Sequence, residues 1–330
     1  MSDDLELKIS SAFECVDMVA HLAGFEEYSG NNRDGAISRY DKYFKPFLKQ
    51  KKTKAAISYF KKLRNNYGFA YDAIATLATA MTPDCHSWRT DIETVQENLD
   101  TRCVNPEKLL QLVADFYDET DFAKFYAQES KNYKILIDDN SINIDTVMTG
   151  IEKVKAYYNT EVSKVTLSFS YLNGFGNYGC SFKEGDKIFF EPKYWSHAMK
   201  NFDPGIVIHE LSHPSSNPVA ELLYANPKIK NYIDKNMVGE KLKKMISMAY
   251  DNGYTYMIEL LTRANTIAIM QEFCTKEMCE RQTAYDKDTC MFSEIDFVVE
   301  VLQKYKQGNY KNLMEFKDIL EEDFVAEYCL

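Results

Sequence analysis

Between residues 165 and 171 the chain alternates strictly. Val165, Leu167, Phe169 and Tyr171 fall on one side of an extended backbone, and Thr166, Ser168 and Ser170 on the other. A period of two marks a strand with one buried face, and such a strand commits the chain to a sheet. Gly174 to Asn177 reads as a turn, Tyr178 to Phe182 as a second strand, Glu184-Gly-Asp as a tight turn and Lys187 to Glu191 as a third strand. Ahead of this meander, Tyr133 to Ile137 (YKILI) reads as a short buried strand. Residues 142 to 158 read as a helix with a stripe of Ile142, Val147, Ile151, Val154 and Tyr158.

The remainder is helical. From about residue 5 to residue 130, apolar side chains recur at threes and fours, as in Ile57, Phe60, Leu63 and then Ile74, Leu77, Met81. Pro46, Gly68, Pro83 and Pro106 punctuate this segment, and helices resume near residue 203. The expected class is therefore α+β and predominantly helical. A helical N-terminal region (1–130) is expected to pack as one compact unit with a second region (131–330) that carries a small twisted mixed sheet.

Charge narrows the partners. A net charge of -11, from 39 basic and 50 acidic residues, disfavours nucleic acid and anionic membrane, because both need a positive surface. The polar, acidic start from Met1 to Glu6 lacks the basic and apolar regions of a secretory signal, and no stretch reaches the length of a membrane span. As written, the chain is expected in the cytoplasm, or outside the cell if a leader has been removed. The eight cysteines form no C-x-x-C pair and read as mostly buried free thiols. The basic run from Lys49 to Arg64 reads as a solvated helix face, and GFGNYG at 174–179 as a hairpin turn rather than a phosphate loop.

Chemistry concentrates in Asp203-Pro-Gly-Ile-Val-Ile-His-Glu-Leu-Ser-His213. Asp203 is a good N-cap and Pro204 suits the first helical position. A helix starting there puts His209 and His213 one turn apart on one face, the H-E-x-x-H spacing that lets two imidazoles reach one zinc ion at about 2.0–2.1 Å. Zinc lowers the pKa of a bound water to about 7, and Glu210 stands beside that water as general base. Only five histidines occur in the chain, and two are spent here. Pro214 disfavours helical backbone at His213, so the helix is expected to end or kink there.

A catalytic zinc needs a third protein ligand. Glu221 is too near His213, beyond Pro214 and Pro218, and His197 is a minor candidate. Glu259 is better placed. It lies in Tyr256-Met-Ile-Glu-Leu-Leu-Thr-Arg263, on a helix expected from about 253 to 280, as an acid facing outward from an apolar run. Arg263, one turn on, can support the ligand carboxylate or a nearby acid.

The order strand, helix, three strands, a helix with His209-Glu210-Leu-Ser-His213 and a later helix with Glu259 resembles a zincin of the glutamate-ligand (gluzincin) type. HELSHPSSNP and IELLTRA, with a helical N-terminal half and an NYG-containing strand, resemble an uncharacterised bacterial family of zincin-like proteins, sharply so only at 173–218 and 256–264. The resemblance implies a zincin-like core, Zn2+, and hydrolysis of a peptide or protein substrate with Glu210 as base and then acid. It also implies an edge strand that pairs with the substrate. Asn177, Tyr178, Gly179 and Cys180 are then expected substrate contacts. Tyr178 is the expected oxyanion stabiliser, with Tyr254 and Tyr256 as alternatives, and Asn217 is expected to orient the turn or the site. Two rival expectations are a zinc-binding module without activity and a helical interaction protein whose motif is accidental. The oligomeric state has no signature in the sequence.

Overall fold

The computed structural model describes residues 5–29, 35–141, 144–174, 176–195 and 204–329. The alternating segment lies at the middle of a mixed sheet of β1 (Leu5–Lys8), β2 (Lys164–Ser170), β3 (Ser181–Glu184), β4 (Lys187–Phe190) and β5 (Lys193–Trp195). On one side of β2 runs β1, parallel, with Leu5 opposite Val165. On the other side β4 and β5 follow each other, both parallel to β2, with Lys164 opposite Phe189 and Ser168 opposite Lys193. They act as one strand interrupted at Pro192, which cannot donate to a ladder. The rim is β3, antiparallel to β4 across a turn in which Gly185 takes a positive φ of 58°.

Two expectations are corrected here. β2 is buried on both faces: Thr166, Ser168 and Ser170 are as buried as their apolar neighbours, and Ser170 Oγ donates to Asp17 Oδ2 at 2.9 Å. Tyr133 to Ile137 is helical, because its apolar run continues a stripe of Phe122, Phe125, Glu129, Tyr133, Leu136 and Asn140 at threes and fours. The chain forms two compact units. One compact unit is Met1–Ile144 with Val162–Phe202, and the other is Asp145–Glu161 with Asp203–Leu330. The sheet thus belongs with the N-terminal helices, and the described residues of the second unit form no strand.

The first unit holds α1 (Ser11–Leu22), α2 (Ala36–Phe44), α3 (Lys51–Tyr67), α4 (Asp72–Ala80), α5 (Ile92–Asn98), α6 (Pro106–Glu119) and α7 (Phe122–Asn140). Its core is aromatic: the Phe44 ring lies 5.8 Å from Phe116 and 4.8 Å from Phe125. A buried ion pair joins Lys193 to Asp17 at 2.5 Å, with the ammonium 4.9 Å from the centre of the Tyr28 ring. Glu14 lies nearby and accepts from Tyr40 at 2.6 Å and Tyr133 at 3.2 Å. Burial pushes its carboxyl up to about 7. At the rim, Asn98 of α5 donates to Lys183 O at 2.8 Å and accepts from Lys183 N at 2.6 Å.

The second unit holds α8 (Ile144–Tyr158), α9 (Pro204–Ala225), α10 (Pro227–Asn236), α11 (Gly239–Ser247), α12 (Gly253–Met270), α13 (Lys276–Ala284), α14 (Ile295–Gln307) and α15 (Leu313–Tyr328). Asn252 caps α12 by accepting from Thr255 N at 2.9 Å. α12 is buried nearly all round, the mark of a central helix, and packs on α9, α10, α13 and α14. It stops at Met270 rather than near 280. α9 does not end at Pro214 but runs through Pro214 and Pro218 to Ala225. Both prolines lie on its less buried side, so the carbonyls they leave unbonded can turn to solvent. Leu211, Val219, Ala220 and Leu223 anchor the opposite side.

All eight cysteines are free thiols, six of them buried. No described helix is long and apolar enough to cross a membrane.

Candidate metal centre

The second unit brings His209, His213 and Glu259 together. One turn of α9 separates the two histidines, and their Nε2 atoms lie 3.2 Å apart. α12 crosses beside them and presents Glu259, with Oε2 3.5 Å from His209 Nε2 and Oε1 3.7 Å from His213 Nε2. Two donors on a tetrahedral zinc, each at 2.0–2.1 Å, stand about 3.3–3.4 Å apart, close to the separations found here, although the two histidines face different oxygens of Glu259. Glu259 does not face outward: it is only 6% exposed and turned into the α9–α12 seam. Its Oε2 is buried and has no hydrogen-bond partner among the described residues.

Glu210 flanks the triangle. Its carboxylate and the two imidazoles place their ligand atoms within 4.8 Å of one another. Glu210 and Glu259 thus both approach the two imidazoles, Glu210 from the same helix and Glu259 from α12. Two neutral nitrogens and one carboxylate form a donor set that suits zinc. The histidine side chains keep 15% of their exposure, so the centre is not sealed from solvent.

The surroundings orient the ligands. Asn217 Oδ1 lies 3.0 Å from His213 Nδ1 and accepts its proton, which leaves Nε2 with the lone pair. Thr262 Oγ1 is 3.4 Å from the same Nδ1 and 2.7 Å from Ser216 Oγ. Burial, His213 and Arg263 together push His209 well below the ordinary imidazole range, toward the neutral form that binds metal. Arg263 Nε is 3.5 Å from Glu259 Oε2, an ion-pair distance without a hydrogen bond. Its fork turns elsewhere: Nη1 donates to Asp286 Oδ1 at 2.5 Å and Nη2 to the Tyr250 hydroxyl at 3.4 Å. Burial opposes its charge, but Tyr250, Glu259 and Asp286 hold it protonated.

The remaining expected residues lie elsewhere or in other roles. Tyr178 belongs to the first unit, where it is buried, its ring 6.3 Å from Tyr71 and its backbone paired with Lys193 in both directions. The expected strand over 178–182 is a strand only from Ser181. Of the groups it was to offer a substrate, Tyr178 N and O are bound to Lys193 and Cys180 O to Glu191 N. Asn177 and Gly179 lie in the same non-strand segment of the first unit. Tyr256 donates to Glu294 and stacks on Phe292, while Tyr254 is exposed against Tyr224. Glu221 is exposed on α9, and His197 and Asp203 lie outside the described residues. His21 and His86 pair with Asp41 and Asp118 in the first unit.

Sequence reasoning missed Tyr250, Asp286 and Thr262. Thr262 alone had a signal, three residues and so just under one turn after Glu259 on the same helix. No protein-family model, curated protein or solved structure matches the chain.

Proposed function

We propose that this chain is a zinc-dependent peptidase of the zincin kind, with His209, His213 and Glu259 as metal ligands and Glu210 as general base. One observation carries the reading: a buried Glu259 carboxylate faces both imidazoles, with Oε2 3.5 Å from His209 Nε2 and Oε1 3.7 Å from His213 Nε2, and Oε2 has no hydrogen-bond partner among the described residues. An unsatisfied buried acceptor costs about 1–3 kcal/mol, and more when charged, which favours any group that can satisfy it. A divalent cation does so here, and two neutral histidines with one carboxylate offset half its charge.

Zinc, when bound, supplies Lewis acidity that makes water a nucleophile at neutral pH and polarises a carbonyl. The chain's own residues do the rest. Glu210 takes the proton from the attacking water and delivers it to the leaving nitrogen. Asn217 keeps the His213 proton on Nδ1. The Tyr250 hydroxyl, beside Arg263 and Glu259, is the tyrosine this site offers to a developing negative charge, in place of Tyr178.

Elemental analysis after dialysis tests the centre: one zinc per chain is expected, lost in His213→Ala. A peptide-library digest then tests the reaction. Glu210→Gln should keep its zinc while cleavage falls roughly 10²- to 10⁴-fold. If that variant cleaves as well as the parent, the peptidase assignment fails. Absence of stoichiometric zinc removes the centre itself.

A further inference from the structure

Beyond the ligands lies a buried acid that the reaction scheme leaves unused. After α13 the backbone makes one π-type turn, Tyr285–Thr289, closed by Cys290 N–H to Tyr285 O at 2.9 Å. Phe292 N–H to Asp286 O at 3.0 Å fixes the return. Single π-turns are rare and recur at functional sites. This one carries Asp286 inward, fully buried, with Oδ1 accepting from Arg263 and Oδ2 accepting from Gln282 at 2.8 Å.

A second observation concerns what Arg263 does not do. It lies one turn from Glu259 on α12, yet its Nε and Glu259 Oε2 stand 3.5 Å apart, each buried and without a hydrogen bond among the described residues. A guanidinium beside a carboxylate ordinarily closes into a two-point fork, the strong geometry for that pair. Here the fork is spent on Asp286 and Tyr250, and the Phe292 ring centre lies 4.9 Å from the guanidinium carbon.

We infer that Asp286 is a positioning residue that diverts Arg263 from Glu259 and so keeps the Glu259 carboxylate available to the metal. This rests on the zinc centre proposed above. Asp286 also supplies the counter-charge that a cation site beside a buried arginine requires. Without it, Arg263 closes on Glu259, occupies the ligand oxygens and adds an uncompensated positive charge next to the ion.

The test is Zn2+ affinity, measured by chelator competition on the full chain, with folding followed by circular dichroism. Asp286→Asn should bind zinc roughly 10- to 100-fold more weakly, the usual effect of losing a group that orients a ligand. Adding Arg263→Gln to that variant should recover most of the loss, because the competitor is gone. Gln282→Ala, which releases only Oδ2, should lose affinity in the same direction by less, and it carries the test if Asp286→Asn does not fold. A merely structural Asp286 predicts lower melting temperatures with unchanged zinc affinity, and no recovery in the double variant. Either result overturns the inference while leaving the centre standing. A parent chain that binds no zinc removes both.

Discussion

His213 depends on a side chain one turn beyond it. Its Nδ1 proton is taken by Asn217, and that bond decides which ring nitrogen faces Glu259. Asn217→Leu should therefore weaken zinc binding roughly 10- to 100-fold while the metal-free protein keeps its melting temperature. Unchanged affinity in a chelator titration would show that Thr262 alone orients the ring. At this scale the sequence was legible where spacing does the work. His209, Glu210 and His213 are fixed by the helical repeat, and Glu259 stood out as an acid in an apolar run, although it turns inward rather than out. Tyr250 and Asp286 were not legible, because only the packing of α13 and its neighbouring loops against α12 brings them to Arg263.

At the level of elements, α9 shows a local preference overruled by packing. Pro214 removes the N–H that would bond Glu210 O, yet the helix continues because its other face is buried on α12. That continuation puts Asn217 under His213, so the expected orienting residue acts from the helix itself and not from a turn after it. An interior proline is about 3 kcal/mol worse than alanine, and the looser unfolded chain of the variant gives back about 0.4–1 kcal/mol. Pro214→Ala should accordingly stabilise the protein by about 2–2.6 kcal/mol in denaturant unfolding and leave zinc affinity unchanged. A loss of stability would mean that the proline fits its backbone without strain. Strand reading failed for a different reason. β1 and β5, of four and three residues, have neither alternation nor a turn signal beside them, whereas β2 was found by its seven-residue alternation and β4, no longer than β1, by the Glu184-Gly-Asp turn before it. YKILI failed because a short apolar run suits helix and strand alike until its flanks are counted.

For the molecule as a whole, the two units answer to different variables. The proposed metal ligands all lie in the second unit, so a chelator should speed hydrogen exchange in α9 and α12 and leave the sheet strands as they were. The first unit answers to pH through Glu14. Its folded pKa of about 7 lies above its ordinary value of 4.5, so folding favours the protonated form. That contribution is complete below about pH 4.5 and disappears as pH rises through 7. Protection in α1 and β2 should then fall between pH 5 and 8, and Glu14→Gln should flatten the fall. The same loss of protection in Glu14→Gln would clear Glu14 of the effect and point to Asp17, whose carboxyl burial also raises. The rim of the sheet has its own consequence. Asn98 presents its carboxamide to Lys183 as a neighbouring peptide unit would, donating and accepting at once. A stray chain meeting that margin finds the docking points of Lys183 already taken. A lateral surface that might otherwise seed fibrils is closed by a single amide from within.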